Sequence, residues 1–314
     1  MTTPVLQVIA TGGTIASHLE GQEWISLPGA QLIEELGPLP ATVQVRDVAS
    51  GDSASLTPTA MAAVATAIDE AVAAGVDGVV VTHGTDTLEL TAFACDLLLG
   101  GTPQVPVIFT GSMRPHSHPE PDGPENLRQA LALAATPALR LHGVVAVLDG
   151  EVHRAAEICK IDATQVQAFV SIPGPPLGTV DGDQFSGPAP TPRSWSRPRD
   201  LEATVPLLTV YPGMAPAAIA AAADGADGLV LEVFGALNLP HYLWGVVYEL
   251  GHGGLPIILA GRPYATGYRD EGLDFLGVVG SGGRSAQKAR LALAAACSTG
   301  DVATNLPIYL GVQP

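Results

Sequence analysis

A chain of 314 residues with a formal charge of −17 is large enough for two domains with separate cores. It is too acidic to favour a nucleic acid or an anionic membrane as partner. Almost half of its residues are apolar, yet no uninterrupted stretch reaches the roughly eighteen residues that span a bilayer. The opening Met1-Thr2-Thr3-Pro4 lacks the basic segment of a signal peptide, and three widely spaced cysteines, Cys95, Cys159 and Cys297, suit reduced thiols in a cytoplasmic setting.

Taken in chain order, short apolar runs alternate with helical stretches. Strands are expected at 5–10, 43–48, 77–82, 105–110 and 143–148, with helices at 58–74, 87–99 and 124–135. Thr57-Pro58 offers a cap followed by proline at the first helical position. This alternation is the βαβ pattern of a mainly parallel sheet flanked by helices. A polar segment with Pro188, Pro190, Pro192 and Pro198 reads as a linker over 183–205. It separates an N-terminal catalytic domain, 1–182, from a smaller C-terminal α/β domain, 206–314. In the second domain strands are expected at 206–211, 228–233, 256–260 and 276–279, and helices at 215–223, 241–252 and 285–296.

The chemistry concentrates in two threonine-rich turns. Thr11-Gly12-Gly13-Thr14 closes the first apolar run, and Thr82-His83-Gly84-Thr85-Asp86 closes the run Val79-Val80-Val81. Ligands of open α/β sheets sit outside the carboxyl ends of strands, so the two turns are expected over one pocket. Neither has the glycine spacing and terminal Lys-Ser/Thr of a phosphate loop. A threonine hydroxyl attacks only when a base takes its proton or an oxyanion site stabilises the product; the alternative for Thr14 is a turn residue bonding its own backbone. Asp86 reads either as a cap for the following helix or as a grip for an ammonium group, whether of a ligand or of Lys160.

Lys160 is one of only two lysines, against twelve arginines, and lysine is the cation that can lose its proton when desolvated. Its neighbour Cys159 faces the other way if the segment is extended. His83 reads as a structural histidine bonding backbone. His116, His118, Glu120 and Asp122 match no zinc spacing, and Gly280-Ser281-Gly282-Gly283 reads as a strand-to-helix connection. No metal or organic cofactor is expected.

Both turns resemble the signature segments of the bacterial-type L-asparaginase/glutaminase family, the first through Ser17 and the second from Val80 to Glu89. Thr110-Gly111-Ser112-Met113-Arg114-Pro115, Asp122-Gly123-Pro124-Glu125-Asn126-Leu127 and Gln287-Lys288-Ala289-Arg290-Leu291 extend the resemblance over nearly the whole chain. It implies a larger N-terminal and a smaller C-terminal α/β domain. It also implies a homodimer or dimer-of-dimers tetramer with active sites between subunits. By the same resemblance Thr14 is the nucleophile, while Thr85, Asp86 and Lys160 form a second catalytic group in which Lys160 acts on Thr85. Ser53 and Asp86 bind the substrate's α-carboxylate and α-amino group. Asn238 is the asparagine lent by a neighbouring subunit.

Two departures stand out. Family members carry a tyrosine on a lid after the first threonine, whereas His18 to Ala30 contains none and the first tyrosine is Tyr211. His18, Glu20 and Glu23 are the candidate substitutes, as is a tyrosine from the partner subunit, with Trp24 excluded because an indole cannot accept a proton. Ala54 follows Ser53 where relatives place a polar side chain. The expectation is an amidohydrolase converting L-asparagine to L-aspartate and ammonia through an acyl-threonine. The alternatives are an amidase for glutamine or a tRNA-linked amide, which the acidity disfavours, and a non-catalytic amino-acid sensor.

Overall fold

The computed structural model describes residues 3–263 and 271–312, which divide into two units, Met1–Ser194 and Trp195–Pro314. The first unit runs β1 (Val5–Ala10), β2 (Ser17–Glu20), β3 (Glu23–Ser26), α1 (Gly29–Glu35), β4 (Thr42–Asp47), α2 (Pro58–Ala73), β5 (Gly78–Thr82), α3 (Leu88–Leu98), β6 (Val107–Thr110) and α4 (Gly123–Ala134). It continues through β7 (Val144–Leu148), β8 (Glu151–Arg154), β9 (Ile158–Lys160), β10 (Phe169–Ser171), β11 (Gly178–Asp181) and β12 (Gln184–Ser186).

Every residue of β5, β6 and β7 is buried, because helices cover both sheet faces; strands buried twice read as unbroken apolar runs. Alternation still sorts the side chains. Val79 and Val81 join Val64 and Ile68 of α2 and Cys95 of α3 in one core. Val80 and Ile108 join Leu127 and Leu131 of α4 in the other. Each such aliphatic side chain contributes about 1.5–3 kcal/mol through burial, so truncating the fully buried Phe109 is the kind of change that costs about 3–5 kcal/mol.

The sheet order is β12-β11-β8-β7-β6-β5-β1-β4. Pairing is parallel from β4 through β7 and antiparallel from β7 through β12. The chain leaves β1 for β4 on one side and returns to β5 on the other, so strand order reverses between β1 and β5. A crevice opens outside the carboxyl ends of strands at such a reversal, and these two strands end in the two threonine turns.

The predicted strands and helices of this unit occur within about two residues of their expected ends, a normal margin for element boundaries. Not foreseen are the β2–β3 and β9–β10 pairs, α1, and the antiparallel extension through β8, β11 and β12. These pieces are short, and several are half exposed, so they lack a sustained apolar period. The edge strand β12 lies inside the proline-rich segment read as linker.

In the second unit the elements are β13 (Leu207–Thr209), α5 (Pro216–Ala223), β14 (Leu229–Val233), α6 (Trp244–His252), β15 (Ile257–Gly261), α7 (Glu271–Leu276), β16 (Val279–Gly280), α8 (Ala286–Thr299) and α9 (Val302–Leu310). A four-stranded parallel sheet, β13-β14-β15-β16, packs Leu229, Leu231, Ile257 and Leu259 into its own core. The expected strand 276–279 begins too early, because Leu276 ends α7. The helix expected at 241–252 opens with a 3-10 turn, His241–Leu243. Gly280-Ser281-Gly282-Gly283 is a strand-to-helix connection: Ser281 Oγ donates to Arg284 O at 2.9 Å, and Ser285 caps α8 by accepting from Lys288 N. Among the described residues no helix is long and apolar enough to cross a membrane.

Candidate active site

The turn after β1, the turn after β5 and a third loop, 50–53, meet backbone to backbone. Gly13 N donates to Gly51 O at 3.0 Å, and Thr11 N to Thr82 O at 3.1 Å. Gly13 has φ +85°, and a Cβ there would fall 2.2 Å from Gly84 Cα; a Cβ on Gly84 would fall 2.6 Å from Ser53 Oγ. Only glycine permits this approach. Thr87 Oγ1 donates to Ser53 O at 2.7 Å, fixing the third loop to the second turn.

These turns enclose a cavity of about 280 Å³, with Thr14, Ser53, Thr85 and Asp86 in its wall. Thr11 and Thr14 have separate duties. Thr11 Oγ1 bonds Thr82 O at 2.9 Å and ties the strand ends together. Among the described residues the Thr14 hydroxyl has no hydrogen-bond partner, so it is not spent on its own turn.

Lys160, not itself a lining residue, reaches two residues of this wall from the end of β9. Its Nζ lies 2.9 Å from Thr85 Oγ1 and 2.7 Å from Asp86 Oδ1. Asp86 does not cap the following helix: α3 starts at Leu88 with Thr87 in the cap position and no side-chain cap. The Asp86 side chain is 60% exposed, while that of Lys160 is 16% exposed; one carboxylate thus faces both the lysine and solvent. Sequence reasoning quoted Glu89 only as part of a motif. Its buried carboxylate accepts from Lys160 N at 2.6 Å and holds the strand end that presents the lysine. Cys159 packs into the protein beside Lys160 and is buried, as alternation along a strand requires.

His83 is fully buried. Its Nδ1 donates to Gly84 O at 2.8 Å, and burial lowers its pKa to about 4 against the opposing pull of that hydrogen bond. It is a neutral brace for the second turn. The remaining wall comes from the β2–β3 hairpin: Ser17, Trp24, Ile25 and Ser26 line the cavity. His18, Glu20 and Glu23, the candidates for the missing tyrosine, are not among the lining residues, and neither is Ala54. His18 turns instead to His116, and Glu20 and Glu23 face each other at the hairpin tip. The hydroxyls the hairpin brings are those of Ser17, which donates to Gly13 O at 3.0 Å, and Ser26.

The loop cluster is engaged elsewhere. His116 Nε2 pairs with Glu35, His118 Nδ1 accepts from Glu120 N, and Asp122 accepts from Met113 N and Arg114 N. Among the described residues no group of three His, Cys, Asp or Glu side chains is arranged to hold a metal ion. In the second unit, Asn238 follows two left-handed residues, Ala236 (φ 57°) and Leu237 (φ 54°). Its exposed side-chain amide donates to Gly235 O at 2.7 Å. Consecutive non-glycine residues in that region are strained, a feature that clusters at functional sites.

The chain as a whole has known relatives. Residues 5–191 match the family model described as Asparaginase, N-terminal, and residues 204–306 the Glutaminase/Asparaginase C-terminal domain. A probable L-asparaginase of Deinococcus radiodurans is 35% identical over 92% of each chain. A component of the glutamyl-tRNA(Gln) amidotransferase of Methanosarcina mazei is 29% identical over 73% of this chain and 57% of that protein. The crystal structure of a probable cytoplasmic L-asparaginase from Campylobacter jejuni superposes with a TM-score of 0.85, covering 98% of this chain and 99% of that one at 27% identity. With both halves matched in order and a relative that similar along its length, the chain belongs to the asparaginase family of amidohydrolases.

Proposed function

We propose that the protein hydrolyses the side-chain amide of L-asparagine to L-aspartate and ammonia, with Thr14 as nucleophile. The observation that carries this reading is the contact of Lys160 with Thr85 and Asp86, two residues in the wall of the cavity that Thr14 also lines. Thr14 Oγ1 bonds to the carboxamide carbon, its proton passes to the leaving nitrogen, and ammonia departs. Water then attacks the acyl-threonine ester, and its proton returns to the Thr14 oxygen as aspartate is released. Thr85, with Lys160 behind it, handles the proton of the attacking water.

The buried Ser53 hydroxyl suits a substrate carboxylate, and the outer face of Asp86 suits the α-ammonium. The amides of Gly84 and Thr85 donate to no other described residue and are available to a developing oxyanion, where one such donor contributes about 3–4 kcal/mol. Asn238 is assigned, by family resemblance, to the active site of a neighbouring subunit; sedimentation of the purified protein and the kinetics of Asn238→Ala test that assignment. The similarity to an amidotransferase component keeps glutamine and other amides in the assay.

The test is ammonia release from L-asparagine and, in parallel, L-glutamine, with Thr14→Ala and Lys160→Arg beside wild type. Asparagine turnover abolished by Thr14→Ala supports the proposal. Near wild-type turnover in Thr14→Ala removes Thr14 as nucleophile, and faster glutamine turnover replaces the substrate.

A further inference from the structure

The hairpin that supplies Trp24, Ile25 and Ser26 to the cavity cannot hold itself in place. Its strands are four residues each and, among the described residues, form a ladder only with one another. All of β3 and the outer half of β2 are exposed. A lone two-stranded ribbon is marginal in water, and Glu20 opposes Glu23 across the tip, where like charges destabilise.

What fixes it lies at its base. His116 N donates to Ser17 O at 2.9 Å, and Leu19 N donates to Ser117 Oγ at 3.1 Å. His18 Nδ1 lies 3.3 Å from His116 Nδ1, with ring centroids 5.5 Å apart. His116 Nε2 in turn meets Glu35 Oε2 at 2.6 Å, at the end of α1. Glu35 is held below the ordinary carboxylate range by the Gln31 amide first and by His116 beside it, so it accepts, and His116 Nε2 carries a hydrogen.

We propose that the Glu35–His116–His18 relay is a positioning device for catalysis: it holds the β2–β3 hairpin as a wall of the cavity and thereby sets substrate affinity. This rests on the amidohydrolase reading for its kinetic consequence alone. An Nδ1···Nδ1 contact needs one hydrogen between the two nitrogens. With Nε2 of His116 donating to Glu35, three states satisfy it. A neutral His18 or a cationic His18 donates to a neutral His116, or a cationic His116 donates to a neutral His18. When both rings are protonated, two donors face each other and the link opens.

The charged groups on the elements meeting here are Glu34 and Glu35 of α1, Glu20 and Glu23 of the hairpin, and Arg114, His118 and Glu120 of the loop. Arg114 is paired with Glu120, and Glu35 is the one carboxylate bonded to the relay among the described residues.

His18→Leu removes the link, whereas His18→Asn keeps a donor–acceptor group near the Nδ1 position. Hydrogen exchange on substrate-free protein reads the hairpin directly. Amides of residues 17–26 are expected to exchange at least tenfold faster in His18→Leu, with His18→Asn closer to wild type and the sheet unchanged. With L-asparagine, KM is expected to rise about tenfold in His18→Leu while kcat stays within about twofold, the pattern of lost uniform binding.

Unchanged hairpin exchange in His18→Leu overturns the proposal. So does faster exchange with an unaltered KM in an active enzyme, which reduces the relay to a structural contact. If wild type turns over no amide, the amidohydrolase reading fails by itself, and the exchange comparison alone decides the relay.

Discussion

Substituting Gly13 by alanine tests the close meeting of the two threonine turns. The new Cβ would stand 2.2 Å from Gly84 Cα and 2.4 Å from Gly84 N, both backbone atoms with no side chain to swing aside. Ordinary contact begins near 3.4 Å, so the turns must part by about 1.2 Å, and a displacement of about 1 Å among reacting groups costs about 10²-fold in rate. The Gly13 backbone, at φ 85° and ψ −172°, lies in a region used almost only by glycine and adds about 1–3 kcal/mol of strain. Gly37→Ala is a control for a positive φ without a clash: Gly37 has φ +76° with nothing within 4 Å of an added Cβ. Ammonia release from L-asparagine, with thermal unfolding in parallel, is expected to show both variants folded, Gly37→Ala near wild-type turnover and Gly13→Ala at least 10²-fold slower. Turnover by folded Gly13→Ala within about threefold of Gly37→Ala would refute the reasoning, because the separation of the turns would then not matter.

Lys160→Arg keeps a cation against Asp86 but removes the amine able to give up its proton; turnover is expected to fall at least 10²-fold with stability little changed, as measured by steady-state kinetics and calorimetry. Arg193→Ala withdraws the guanidinium that bonds both carboxylate oxygens of Asp96, whose side chain is 1% exposed. Discounted for the partly exposed arginine, a loss of about 2–4 kcal/mol is expected in urea unfolding. His83 stays neutral in the folded protein to about pH 4, whereas the unfolded chain binds its proton near pH 6.5. Its contribution is therefore whole above about pH 6.5 and declines as pH falls toward 4. About 2 kcal/mol should be lost between pH 7 and pH 5, and His83→Asn, which keeps a donor for Gly84 O, should flatten that slope in urea titrations at the two pH values.

Much of the site was legible because its signals are local. Thr14 and Thr85 announce themselves as hydroxyls in glycine turns after buried strands, and the β1 and β5 runs are apolar throughout. Asp86 was ambiguous in sequence between helix cap and ion-pair partner, since both readings satisfy the same tripeptide; only the position of Lys160 separates them. Glu89 stayed hidden because a glutamate in the first turn of a helix is ordinary there. The lid segment was not legible as a hairpin: His18 was one candidate to replace the lid tyrosine, and alternation along β2 and the approach of His116 turn it to the loop while Ser17 lines the cavity.

The sequence by itself determined the two-unit α/β architecture, the principal strands and helices, and the two threonine turns. Each of these follows from periodicity, capping or glycine conformation within a short window. The tertiary structure decided which distant groups meet. Lys160 lies 75 residues from Thr85, Ser53 lies 34 from Thr87, and His18 lies 98 from His116. No local propensity encodes such pairings. They arise because strand order reverses between β1 and β5, bringing their carboxyl ends and the loops beyond them over one crevice.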